Sequence, residues 1–294
     1  MSVPAAYLGV ILIWATTPMA IKWSGEGGFL FGVTARMGIG LVLCLVLLLL
    51  TRKPLPLRRD ALWSYVAAGT GIFGAMLATY WGAQFIPSGL ISVLFGLTPV
   101  VSGLLAAYWL GEPTFSGGRL PGMLFGFIGL VVIFLYGRAL PGMALSGILA
   151  VLLAVGFHSA SMVVVKRIGS QISPLAMNSG ALLFAVPLFS LVWLADGATV
   201  SADISVRTLW AIAYLGVFGT TLGFILFFYV LKHLHTGAIA LITLMTPVLA
   251  LLLGHLFNGE ALVTQVWLGT GCILLGLLSY QWGGRVVRLL RVKV

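Results

Sequence analysis

Charge is what this sequence lacks most. Only 7% of its 294 residues are Asp, Glu, Lys or Arg, while 61% are hydrophobic. A soluble domain carries roughly a quarter charged residues. So few charges cannot cover a surface that faces water, so the solvent for most of the chain is lipid. Acids are scarcer still. The six are Glu26, Asp60, Glu112, Asp196, Asp203 and Glu260, and none falls in the middle of an apolar run. That argues against a proton or cation antiporter driven by a buried carboxylate, and against a pocket built for cationic drugs. The two cysteines, Cys44 and Cys272, lie inside apolar runs and read as inert buried thiols. No cluster of metal-ligand type and no Ser-His-Asp spacing is present. The glycine-rich stretches "GEGG" and "SGG" lack a phosphate-cradle pattern. The sequence therefore implies no cofactor, no metal and no catalytic residues. An integral-membrane enzyme is the least supported class, because the acids it would need do not cluster.

What is abundant is apolar length. Ten runs of about 20 residues suit a bilayer core of about 30 Å. They cover positions 3–23, 29–51, 62–84, 87–110, 120–137, 143–165, 175–195, 206–231, 236–257 and 263–283. An all-α polytopic membrane protein with ten transmembrane helices is expected. The first run has no basic leader and no small-residue cleavage site after it, so it reads as a retained helix. The formal net charge of +10 would suggest nucleic acid in a soluble protein. Here it sets orientation instead. With the N-terminus inside, 12 of the 16 Lys and Arg residues fall inside, including Arg52, Lys53, Arg58, Arg59, Arg285, Arg288 and Arg291. The positive-inside rule then gives an N-in, C-in chain in the cell membrane, multi-pass.

The run at 89–112, "GLISVLFGLTPVVSGLLAAYWLGE", has a twin at 237–260, "GAIALITLMTPVLALLLGHLFNGE". Nine of 24 positions match without a gap, including Thr-Pro-Val and the closing Gly-Glu, at an offset of 148. A second echo pairs "WATTPMAIK" (14–22) with "HSASMVVVK" (158–166), and a weaker one pairs "TYWGAQ" with "FFYVLK". The chain reads as a duplication, 1–138 and 139–294, with five helices in each half. Because five is odd, the two repeats are inverted in the membrane. That is an architecture of alternating-access carriers, with the substrate near the midplane between the repeats.

These motifs carry a resemblance. "IWATTPMAIK", "FGVTARMGIGLVL" around Arg36, and the two "TPV…GE" helices resemble the ten-helix EamA type of the drug/metabolite transporter superfamily, over essentially the whole chain. Within it the YddG-like aromatic amino-acid exporters are the nearest type. The resemblance implies a basket-like fold and export of amino acids and related small metabolites. Drug or sugar and nucleotide-sugar efflux is the alternative in the same superfamily. The expected partners are amino acids and the lipid bilayer, with no nucleic acid. A monomer suffices for function, and an oligomer is compatible with the sequence. Spans one to four and six to nine would form the cavity, and spans five and ten would support it.

The marked residues follow from depth and type. Pro99 and Pro247 remove a backbone donor in mid-helix and free the carbonyls of Phe95 and Thr243. Thr98, Thr246, water or substrate would have to satisfy them. Arg36 lies about two turns, about 10 Å, inside its run. It would pair with Glu26 or face a substrate carboxylate. It has no basic twin, since the matching stretch is "MNSGAL"; His158 stands opposite Trp14. Trp14, Thr17, Tyr80, Trp81, Gln84, Phe95, His158, Ser161 and Tyr229 complete the expected cavity lining. Glu112 and Glu260 would cap the fifth and tenth helices or act as gate residues. Lys22 and Lys166 end their helices and would snorkel.

Overall fold

A computed structural model describes residues 2–111, 119–139, 144–169, 171–233, 236–261 and 263–291. Every regular element among them is helical. The elements are α1 (Val3–Gly25), α2 (Phe29–Thr51), α3 (Arg59–Gly82), α4 (Ser88–Phe95), α5 (Thr98–Leu110), α6 (Arg119–Ala139), α7 (Ala144–Ile168), α8 (Pro174–Ala195) and α9 (Val206–Tyr214). A π-helical segment, Leu215–Leu222, leads into α10 (Gly223–His233), α11 (Thr236–Asn258) and α12 (Thr264–Arg291). Among the described residues, seven stretches are long and apolar enough to cross a membrane, and three shorter apolar helices lie in α6, α11 and α12. They fall on the ten runs expected from hydropathy. The fourth span is α4 with α5, and the eighth is α9, the π segment and α10.

Local chemistry sets the helix ends. Ser173 accepts a hydrogen bond from the Ala176 amide, with Pro174 in the first turn of α8. Ser205 does the same for Thr208 at the start of α9. The α5 helix stops at Gly111, whose φ of 67° is left-handed. Large apolar side chains such as Leu12, Leu49, Trp63, Tyr108 and Trp210 point outward, as a lipid-facing surface requires.

Between helices lipid gives no hydrophobic drive, so small residues and close packing hold the bundle. A methyl group on Gly129 would come within 2.5 Å of the Gly269 carbonyl, and one on Gly276 within 2.6 Å of the Gly122 carbonyl. These glycines bring α6 and α12 together, and the two pack chiefly on each other. Elsewhere α3 packs on α7 and α8, α2 on α8 and the π segment, and α4 on α11. The α1 helix packs on α9, α10 and α11, and α5 packs on α7. This scheme maps onto itself when each span is exchanged with the one five later.

Candidate functional site

Arg36 organises the candidate site. It sits on the third turn of α2, and the residue is only 5% exposed. The expected pair with Glu26 does not form. Glu26 instead takes both oxygens to Arg207 Nη2, at 2.8 and 2.9 Å, at the bundle surface. Glu26 lies in the turn after α1, and α9 begins beside it, so the loop acid finds the nearer exposed cation. Arg36 turns inward. Its Nε donates to Thr220 Oγ1 at 3.1 Å, and Nη1 reaches the Met76 sulfur at 3.9 Å. Among the described residues no carboxylate pairs with it.

The wall facing Arg36 is the π segment. Glycines allow it to approach α2: a methyl group on Gly216 would meet Ile39 at 2.5 Å, and one on Gly40 would meet Thr220 at 2.5 Å. A π-helical turn inside a span shifts the register of the side chains that follow, and such turns concentrate at functional sites. Thr221 donates to the Gly216 carbonyl at 3.1 Å. Asn178 of α8 donates to the Thr220 carbonyl at 3.1 Å and to Cys44 at 3.3 Å. The segment is thus held from α2 and α8 together.

Two glycines let neighbouring side chains pack closely on this wall. A methyl group on Gly219 would stand 3.4 Å from Arg36 Nη2 and 3.7 Å from Thr17 Oγ1; one on Gly223 would stand 3.4 Å from Trp14 Nε1. Arg36, Thr17 and Trp14 therefore pack against one buried glycine strip. The Trp14 ring lies 4.9 Å from Phe227, which adds an aromatic floor. Thr16 hydrogen-bonds Tyr214 at 2.6 Å and fixes α1 to the same span.

Other expected lining residues have different duties. Tyr80 is 1% exposed, and its hydroxyl is spent on Ser24 at 3.0 Å, so it belongs to the packed core. Ser161 donates to the Ala67 carbonyl at 3.0 Å and packs against Gly71 where α3 meets α7. Gln84 is exposed, beyond the end of α3, and Trp81 packs edge-on against Phe85. Phe95 and His158 meet edge-on at 6.3 Å. The Tyr229 and His233 rings lie 4.2 Å apart, tilted by 35°. Thr98 and Pro99 are half-buried, Thr246 and Pro247 buried. Lys166 is exposed at the end of α7. Glu112 lies outside the described residues.

Two expectations need correcting. Pro99 does not kink a continuous helix. The helix stops at Phe95 and restarts at Thr98, with Pro99 in the first turn of α5, where a missing amide costs nothing. Glu260 does not spend its carboxylate on the tenth span. It accepts from the Ser88 amide at 2.8 Å and from the Gly89 amide at 3.4 Å, at the start of α4. The reach is set by packing, because α4 lies against α11 and the turn after α11 brings Glu260 over it.

Sequence reasoning missed Thr220, Gly219, Gly223, Met76 and Asn178. A signal was there. "GTTLG" at 219–223 places paired threonines between glycines in mid-span, and Asn178 stands in the stretch that matches Arg36.

The sequence model of the EamA-like transporter family matches residues 3–135 and again 145–280. The chain belongs to the EamA-like transporter family. It is a membrane transporter and not an enzyme, a multi-pass protein of the plasma membrane. The "Uncharacterized transporter YoaV" of Bacillus subtilis (strain 168) is 28% identical over 92% of this chain and 93% of its own. The "Probable terminal-alkyne amino-acid exporter" of Streptantibioticus cattleyicolor is 27% identical, with 85% and 83% covered. A solved structure described only as "Crystal structure of protein" superposes with a TM-score of 0.68 at 20% identity, over 97% of this chain and 98% of that one. At that identity it speaks for the fold alone.

Proposed function

We propose that this EamA-like transporter exports amino acids, aromatic and other neutral ones, by alternating access between two inverted five-helix repeats, 1–138 and 139–294. One observation carries the reading. Arg36 is buried at membrane depth, and its guanidinium meets a threonine and a thioether where a carboxylate would be expected. A buried cation without a counter-charge is expensive, and a planar fork of donors suits a substrate carboxylate. The Gly219–Gly223 strip brings Trp14 and Thr17 beside Arg36. The Trp14–Phe227 pair suits an aromatic or apolar side chain. The helix pairing that survives exchange of the two halves supports the repeat, and so does the double family match. The amino-acid exporter among the relatives supports the substrate class.

The test is flux from proteoliposomes loaded with labelled amino acids, each beside the amine that lacks its carboxyl group. Efflux of the acids and not of the amines is expected, and it should persist when the proton gradient is collapsed, since no carboxylate among the described residues lies beside Arg36. Equal efflux of acid and amine would overturn the assignment to Arg36.

A further inference from the structure

One carboxylate ties three spans together at the end of the bundle where α1 finishes. Glu260 follows α11 by two residues, and its side chain is 8% exposed. Oε1 accepts from the Ser88 amide at 2.8 Å and from Asn258 Nδ2 at 2.7 Å; Oε2 accepts from Ser88 Oγ at 3.1 Å and from the Gly89 amide at 3.4 Å. Lys22 Nζ stands 3.7 Å from Oε1 and donates to the Ile86 carbonyl at 3.0 Å. Trp23 Nε1 holds Asn258 Oδ1 at 3.0 Å.

Glycines make the cluster fit. A methyl group on Gly254 would sit 2.5 Å from Glu260 Oε2, and one on Gly89 would sit 2.6 Å from the Leu251 backbone. The carboxylate lies where α4 begins, so it meets the unsatisfied amides and positive end of that helix as well as the lysine. Its partners Lys22, Ser88 and Gly89 come from the first half of the chain, while Glu260 itself comes from the second.

We propose that Glu260 is the latch that holds the bundle shut at the Lys22 end. The passage opens at that end when the carboxylate gives up Lys22 and the start of α4. This rests on the alternating-access reading above, and it concerns no particular substrate. A helix cap needed only for folding would use the amides. The added lysine from α1, and the asparagine held by Trp23, make the contact one that α1, α4 and α11 must break together in order to part.

The test reads conformation without substrate. A single reporter, Thr17→Cys, is placed in a chain carrying Cys44→Ser and Cys272→Ser. It is labelled with a membrane-impermeant maleimide from each side of oriented proteoliposomes. Glu260→Gln and Lys22→Met are each expected to raise the labelling rate from the Lys22 side by about tenfold and to lower it from the other side, the signature of a shifted population. Unchanged rates in a folded variant would overturn the latch, and so would equal increases from both sides. If Glu260→Gln does not fold, Asn258→Ala leaves the carboxylate on α4 and still loosens its support. A smaller increase from the Lys22 side is expected, and no increase overturns the proposal. Because no amino acid enters this assay, its failure leaves the substrate assignment intact, and the failure of amino-acid flux leaves the latch intact.

Discussion

The two halves of this transporter share a pattern of helix pairing, yet each departs from regular helix in a different span. In the first half the fourth span is broken between Phe95 and Thr98, while its twin α11 runs unbroken from Thr236 to Asn258. In the second half the eighth span winds through a π segment, while its twin α3 runs unbroken from Arg59 to Gly82. The same Thr-Pro-Val stands in the fourth and ninth spans, so proline alone does not decide. Gly96 precedes Pro99 by three residues, where the twin has Leu244. Glycine weakens a helix by about 1 kcal/mol relative to alanine. Proline and glycine together break the helix where proline alone is absorbed. The halves share a pairing pattern, and they differ around the candidate site. Arg36 has no basic twin, and it faces the one π segment among the described residues.

The largest expected effect is at Arg36. If the asymmetry makes the site, Arg36→Met should lower amino-acid efflux by about tenfold or more, the loss expected for a charged hydrogen bond worth about 1.5–3 kcal/mol. Arg36→Lys should not restore it, because a lysine lacks the planar fork. Unchanged efflux per folded molecule would move the substrate elsewhere.

A smaller effect is expected from crowding the wall beside Arg36. Gly219→Val puts methyl groups where Arg36 Nη2 is already 3.4 Å from a first carbon. Efflux per folded molecule should fall several-fold, and thermal stability should drop because the added methyls crowd a buried position. Gly271→Val, at a glycine with open space around it, is the control and should leave efflux unchanged.

The twin prolines give the next contrast. Pro247 is inside a continuous helix, so Pro247→Ala should stabilise the protein, by at most about 3 kcal/mol. Pro99 is in the first turn of α5, so Pro99→Ala should be nearly neutral. Thermal unfolding of the two purified variants measures the difference. Equal shifts would mean that both helices carry the same strain, contrary to their geometry.

The smallest effect is expected at Glu26. Its pair with Arg207 is exposed, with side chains 40% and 53% accessible, whereas Glu260 is 8% accessible. Exposed pairs contribute below about 1 kcal/mol. Glu26→Gln should therefore leave both stability and efflux within error, and a large loss in either would show that burial is the wrong measure of which acid matters.

Hydropathy and motifs marked the spans and the family, with span ends agreeing to a few residues except at α12, which continues to Arg291. Each crossing needs about 20 apolar residues whatever packs beside it, so hydropathy reports the spans directly. The sequence also marked Arg36 and Trp14, because a cation or a large ring at depth is rare enough to stand out. Tertiary structure alone decided what those residues meet. Tyr80 and Ser161 carry the same polar groups as a lining residue, but neighbouring helices take their hydroxyls for Ser24 and Ala67. Glu260 looks like a cap for the helix that follows it, and the packing of α4 on α11 gives it another. The π segment, with Thr220 and Gly219 on it, depends on how closely α2 and α8 approach. Helices that are already dissolved in lipid find each other through small residues and a few hydrogen bonds. Those partners lie far apart in the chain, so no local pattern names them.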